Sequence, residues 1–258
     1  MLQPHSFLWH YLWVGPHILQ SLLALFVWRR GLNKLFPVFF TYLVFEAVEE
    51  FALYAMDLLP SISIKTWWIA FCIGLIIEGS LKLWVIGELL AQVLHSRPAI
   101  AKVGARLITG AGGVLVLLAI AAAAYAPMDH PQYVWTYRAH ILLQGFYIVE
   151  GGLALFLFLF VAHFKLTWNR PTFGIALGFG ILFCENMATW SIMATRALPY
   201  SRYPLLDFLN MATYHLCVLV WFYYLLVPQR IVAATSAVSL PENDLSIWNR
   251  ELERFLRK

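Results

Sequence analysis

Three carboxylates, Glu46, Glu49 and Glu50, stand at i, i+3 and i+4 inside an otherwise apolar run. That spacing places them toward one side of a helix, with Tyr42 one turn earlier extending the same face. Carboxylates this close cannot all stay ionised in a low dielectric, so some must be protonated, paired or bound to a cation. The next run holds Glu78 and Lys82 at i and i+4, the order that favours an intrahelical ion pair. "IIEGSLKLW" around Glu78 is echoed by "IVEGGLALF" around Glu150, and "QSLLAL" sets Gln20 in the same register. His17 precedes Gln20 behind "VGP", Glu185 sits in "CENMAT" with Asn186 and Thr189, and His215 lies in "LLDFLNMATYHL". Taking about 1.5 Å of rise per residue, His17, Gln20, Lys82, His215 and the six glutamates named here lie roughly 15 to 25 Å from the start of their runs. Alternate runs point in opposite directions, so all of them converge near mid-depth and could form one site.

Ionisable groups in the middle of a membrane are costly and by default face the bundle interior, where they mark function. His215 has the chemistry of a proton shuttle, and equally that of a histidine hydrogen-bonded between helices. Asp207 is expected to cap the last helix. Named chemistries are mostly excluded. Schiff-base chemistry of the retinal type wants a lysine in the last run, which has none; Lys82 is the one lysine within a run. No pair of Glu-x-x-His motifs is present for a di-iron bundle site, H-E-x-x-H is absent, and no serine has a nucleophile context. Scattered Glu and His leave metal binding open, and the sequence leaves any cofactor unknown.

The elements that must position these groups are long and apolar. Hydrophobic residues make up 61% of the 258 and charged ones 12%, against about 25% charged in soluble domains. A spanning helix needs roughly 20 mainly apolar residues, and seven runs qualify: 7–28, 35–58, 66–94, 105–127, 135–163, 171–195 and 205–228. The fold expected is therefore an all-α membrane protein, a bundle of seven transmembrane helices. One transmembrane domain covers 1–231 and a cytoplasmic tail covers 232–258. Prolines mark run ends, except Pro16, which with Gly15 predicts a kink in the first run.

Lys and Arg gather after the first, third, fifth and seventh runs, among them Arg29, Arg30, Arg97, Lys102, Lys165, Arg170 and Arg230. By the positive-inside tendency this puts the N-terminus outside and the C-terminus in the cytoplasm, in the inner (plasma) membrane. The first run lacks a basic leader and a small-residue cleavage site, so it is expected to be retained as a span. The same loops account for the net charge of +4, and nucleic acid is not an expected partner. Cys72, Cys184 and Cys217 lie within runs without paired spacing and read as packing residues. In the tail, residues 244–258 form a basic amphipathic helix with Trp248, suited to the membrane surface or to a cytoplasmic partner. The lipid bilayer is thus the expected partner, with a homo-oligomer left open.

"EGSLKL" and "EGGLAL", together with a likeness between the openings of the second and sixth runs, suggest weakly repeated helical hairpins. The segments "RRGLNKLFPVFFTYLVFE" and "FGIALGFG", with seven spans and an amphipathic tail, resemble a family of bacterial seven-helix inner-membrane proteins with no assigned activity. The resemblance implies topology and carries over no functional residue. Three functions fit the residues: a binding or sensory module for a small ligand, proton or cation, a proton- or cation-coupled secondary transporter, and an intramembrane enzyme acting on a lipid or isoprenoid. Against all three stands the reading in which the polar groups pair only to specify helix packing.

Overall fold

The computed structural model describes residues 6–95, 98–125, 134–194 and 203–227, and among these it is entirely helical. Seven α-helices follow in order: α1 (Phe7–Arg29), α2 (Pro37–Leu58), α3 (Ile64–Val93), α4 (Pro98–Tyr125), α5 (Val134–His163), α6 (Arg170–Ala194) and α7 (Tyr203–Leu226). Five carry a stretch long and apolar enough to cross a membrane, in α1, α3, α5, α6 and α7. In α2 every stretch of spanning length contains Glu46, Glu49 and Glu50, and this charge keeps the helix from meeting the same test. In α4 the apolar stretch among the described side chains is Gly112–Tyr125. The amphipathic tail helix expected over 244–258 lies outside the described residues.

Local chemistry sets the helix ends. The Ser6 and Ser63 hydroxyls accept from the backbone N–H groups of Trp9 (3.3 Å) and Thr66 (3.1 Å), and the Asn169 side chain accepts from Thr172 N–H at 2.8 Å. Each satisfies an amide that a first turn leaves without an intrahelical acceptor. For α2 the cap comes from another helix. Pro37 occupies the first position and has no amide, and the Glu88 carboxylate of α3 accepts from both Val38 and Phe39 N–H at 3.0 Å. A negative charge there also suits the positive end of the helix dipole. At the far end of α1, Gly31 takes φ +71°, and the chain turns through a short 3-10 segment, Leu32–Lys34, into α2. Helix α1 runs through Pro16 without a break in its helical assignment.

Helix neighbours define the architecture. Contacts run α1 to α2, α2 to α3, α3 to α5, α5 to α6, α6 to α7 and α7 back to α1, so six helices close a ring. Helix α4 packs only on α3 and α5 among the described residues and stands outside the ring as a buttress. Its apolar interface joins Leu75 and Leu83 of α3 to Val116, Ala119 and Ala123 of α4 and to Leu142 and Phe146 of α5. Glycines let the ring close. On α6, Gly174 and Gly178 form a G-x-x-x-G pair, and a Cβ on either would overlap Tyr224 or the Trp221 indole of α7. Gly79 lies under the Phe146 ring of α5, and Gly151 under Met187 of α6. Gly152 faces open space.

Candidate functional site

The six ring helices enclose a cavity of about 470 Å³, within the range of about 300 to 1,000 Å³ usual for small-molecule pockets. All six contribute lining residues, and none of the described residues of α4 does. The cavity begins at the end of the bundle where the odd-numbered helices start. There it is walled by Trp9 and Trp13 of α1, Trp67, Trp68 and Phe71 of α3, and Leu206 and Asp207 of α7. Asp207 thus lies in the second turn of α7 and lines the mouth, past the capping position expected for it. From Trp67 to Lys82 along α3 is about 22 Å at helical rise, which carries the cavity to mid-bundle. Its deep end is lined by His17, Glu46, Glu78, Lys82, Tyr147 and Tyr214.

Beyond that end the interior is apolar. Phe39, Tyr42, Phe179 and Trp221 are all buried and pack ring against ring, with centroids 5.1 to 6.4 Å apart. Leu23, Val27, Val85, Ile86 and Leu89 complete this half of the bundle. The aromatic cluster has the close packing that excludes water, and it separates the polar cavity from the opposite end.

Lys82 organises the deep end. It is 5% exposed, forms an ion pair with Glu78 one turn earlier, and interacts electrostatically with Glu150 and Glu46. The two Glu-Gly repeats thereby acquire a physical relation, since Glu78 and Glu150 approach one ammonium from two helices. Glu150 is 1% exposed and its Oε2 has no hydrogen-bond partner; the Oε2 of Glu46 is likewise without one. Glu50 accepts from the Trp13 indole N–H at 2.7 Å. Asn210 donates to Asn186 Oδ1 at 2.8 Å, joining α7 to α6 along the cavity wall.

Gln20 is fully buried and committed to structure. Its Nε2 donates to the Leu43 carbonyl at 2.9 Å, while its Oε1 accepts from the Tyr214 hydroxyl and lies 3.3 Å from His17 Nδ1. One side chain thus ties α1 to α2 and α7, and the His17 ring stacks on Tyr214 with centroids 5.1 Å apart.

The residues proposed from sequence therefore divide. His17, Glu46, Glu50, Glu78 and Lys82 line one cavity, whereas Gln20, Glu49, Glu150, Glu185 and His215 do not. Glu46 and Glu50 face inward, but Glu49 is turned about 100° from Glu50 and its carboxylate rests on Gly74 of α3, where a Cβ would overlap it. Glu185 accepts from Thr189 in its own helix at 2.6 Å, and Thr189 rather than Glu185 reaches the cavity. His215 is half-buried, with its ring 6.0 Å from that of Tyr11. Cys184, expected in packing, is exposed on the outer surface of the bundle. Sequence reasoning passed over Trp9, Trp13, Trp67 and Trp68, because tryptophan near a span end reads by default as an interfacial anchor. Their signal was a cluster: two near the start of the first run and an adjacent pair at the start of the third.

Among the described residues no three His, Cys, Asp or Glu side chains converge as a set of metal ligands. Comparison of the chain with protein-family models, with curated proteins and with solved structures finds no match, and its function must be argued from the chemistry of this cavity.

Proposed function

We propose that this chain is a seven-span protein of the inner membrane, N-terminus outside, that binds a small ligand in the mid-membrane cavity in a binding or sensory role. The observation that carries this reading is the one-sidedness of the cavity. It is polar and open at the end where the odd-numbered helices start, and it stops at Lys82 against the aromatic cluster of Phe39, Tyr42, Phe179 and Trp221. A pocket closed at one end suits occupancy and release from the same side. The exposed apolar residues along α1, α4, α5 and α7 support lipid contact around the ring. The gathering of Lys and Arg after odd-numbered runs supports an outward-facing mouth. In this arrangement α2 also spans, because its Glu46 and Glu50 turn to the cavity instead of the lipid.

A secondary transporter is the second reading. Carboxyl groups outnumber the single buried lysine around Lys82, as they do in proton-coupled carriers. The two readings separate in sealed proteoliposomes holding a pH-sensitive dye, with the voltage clamped and a pH gradient imposed. A binding protein leaves the gradient decaying as in protein-free vesicles. Faster decay that Glu78→Gln or Glu150→Gln abolishes, in variants of unchanged thermal stability, would replace the binding reading with the transport one.

A further inference from the structure

We infer that the ligand is an organic cation, an amine or quaternary ammonium carrying an apolar or aromatic body. This assignment rests on the pocket reading above and names what the pocket takes. Three carboxyl groups line the cavity at depth, Glu46, Glu50 and Glu78, against one lysine. That lysine is already paired with Glu78 on its own helix. Glu46 and Glu50 face the cavity and form no ion pair among the described residues, the one lysine that attracts both being paired with Glu78, and Glu46 is 6% exposed with Oε2 lacking any hydrogen-bond partner. A buried carboxyl group held without a counter-ion is costly unless a ligand supplies one. Glu50 is held in place by the Trp13 indole, which leaves its acceptor capacity directed to the same space.

The upper wall selects the rest of the ligand. Trp67 and Phe71 stack with an interplanar angle of 7°, and the Trp67 indole is fixed by donating to the Leu53 carbonyl at 3.2 Å. Trp68 stands edge-on to both rings. Fixed aromatic faces above a carboxylate floor are complementary to an ammonium group with an apolar body, through cation–π attraction and area burial. A bare divalent cation would want about six oxygen ligands in close array, and the described residues bring no such set together. An anion would share the deep end with Glu46 and Glu78, where the one lysine is already paired.

The test is binding to purified full-length protein at neutral pH, read by tryptophan fluorescence and isothermal titration. Three probes of one shape and different charge are compared: 2-phenylethylammonium, 2-phenylethanol and 3-phenylpropanoate. The ammonium is expected to bind at least tenfold more tightly than the alcohol, with the carboxylate weakest. In Glu46→Gln/Glu50→Gln that ammonium-to-alcohol ratio falls toward one while the alcohol's own affinity holds, and Trp68→Leu weakens the ammonium several-fold. Equal affinities in the wild type, a preference for the carboxylate, or no ammonium binding would overturn the assignment, even if the double variant failed to fold. Alcohol binding without charge preference would leave the pocket reading standing, whereas proton flux in the vesicle experiment would remove it.

Discussion

Replacing Lys82 with Met takes the only ammonium out of a cluster that includes Glu78, Glu150 and Glu46. The side chain is 5% exposed and its partner Glu78 only partly exposed, so water recovers little of the lost attraction. Removing one member of a buried pair costs roughly 3 to 5 kcal/mol. The lower end, about 3 kcal/mol, applies here because Glu78 borders the cavity and keeps part of its surface exposed. For a chain of this size that corresponds to a fall in Tm of about 6 to 12 °C. Thermal unfolding in detergent, followed by tryptophan fluorescence, measures it. Lys82→Met/Glu78→Gln removes both charges and is expected to be more stable than Lys82→Met alone by about 1 to 2 kcal/mol, the recovery being partial because Glu150 and Glu46 still lack their cation. A Tm for Lys82→Met within 2 °C of wild type, or a double variant less stable than the single one, would refute the ion-pair cluster.

Five further substitutions probe the scaffold. Gly178→Leu drives a side chain into the Trp221 indole of α7 and should cost at least about 3 kcal/mol, the upper range for overpacking, whereas Gly152→Ala, which meets nothing within 4 Å, should be neutral or raise stability by about 0.5 kcal/mol; thermal melts of the pair check both. Tyr214→Phe keeps the ring stacked on His17 but removes the hydroxyl that donates to Gln20, an expected loss of about 1 kcal/mol, and Gln20→Leu should cost more because it removes the bond to the Leu43 carbonyl and leaves the buried Tyr214 hydroxyl without its acceptor. Glu88→Ala removes the acceptor shared by Val38 and Phe39 N–H and should cost about 1 to 2 kcal/mol, with hydrogen exchange accelerated first at the start of α2.

Seven helices were legible because length and hydropathy repeat at the scale of a bilayer, and Pro37, Pro98 and Pro171 mark starts of α2, α4 and α6 closely. The Glu78–Lys82 pair was legible from its i, i+4 spacing, being local to one helix. The ring order was not, because which helix neighbours which depends on contacts between distant residues, such as Phe146 over Gly79 and Trp221 over Gly178. For the same reason α4 could not be recognised as the helix left outside. Depth along a helix can be counted from sequence, but the direction a side chain takes cannot be fixed without the partner helices. Glu49 and Glu150 reach the right depth and miss the cavity wall, while Trp13 and Tyr147 reach it. Glu88 caps a helix other than its own, a role that the spacing within its own run does not show.

The central claim is a cavity open to one side and sealed by aromatic packing, and site-directed thiol labelling tests it most directly. In a background with Cys72, Cys184 and Cys217 replaced by Ala, single substitutions Leu143→Cys and Met211→Cys place a thiol on the cavity wall, and Leu89→Cys places one in the apolar half. A charged, membrane-impermeant thiol reagent is then applied from each side of sealed vesicles of known orientation. The account predicts that Leu143→Cys and Met211→Cys react from the outer side alone and that Leu89→Cys reacts from neither. Labelling of the cavity positions from both sides, or of Leu89→Cys from the cytoplasmic side, would contradict it.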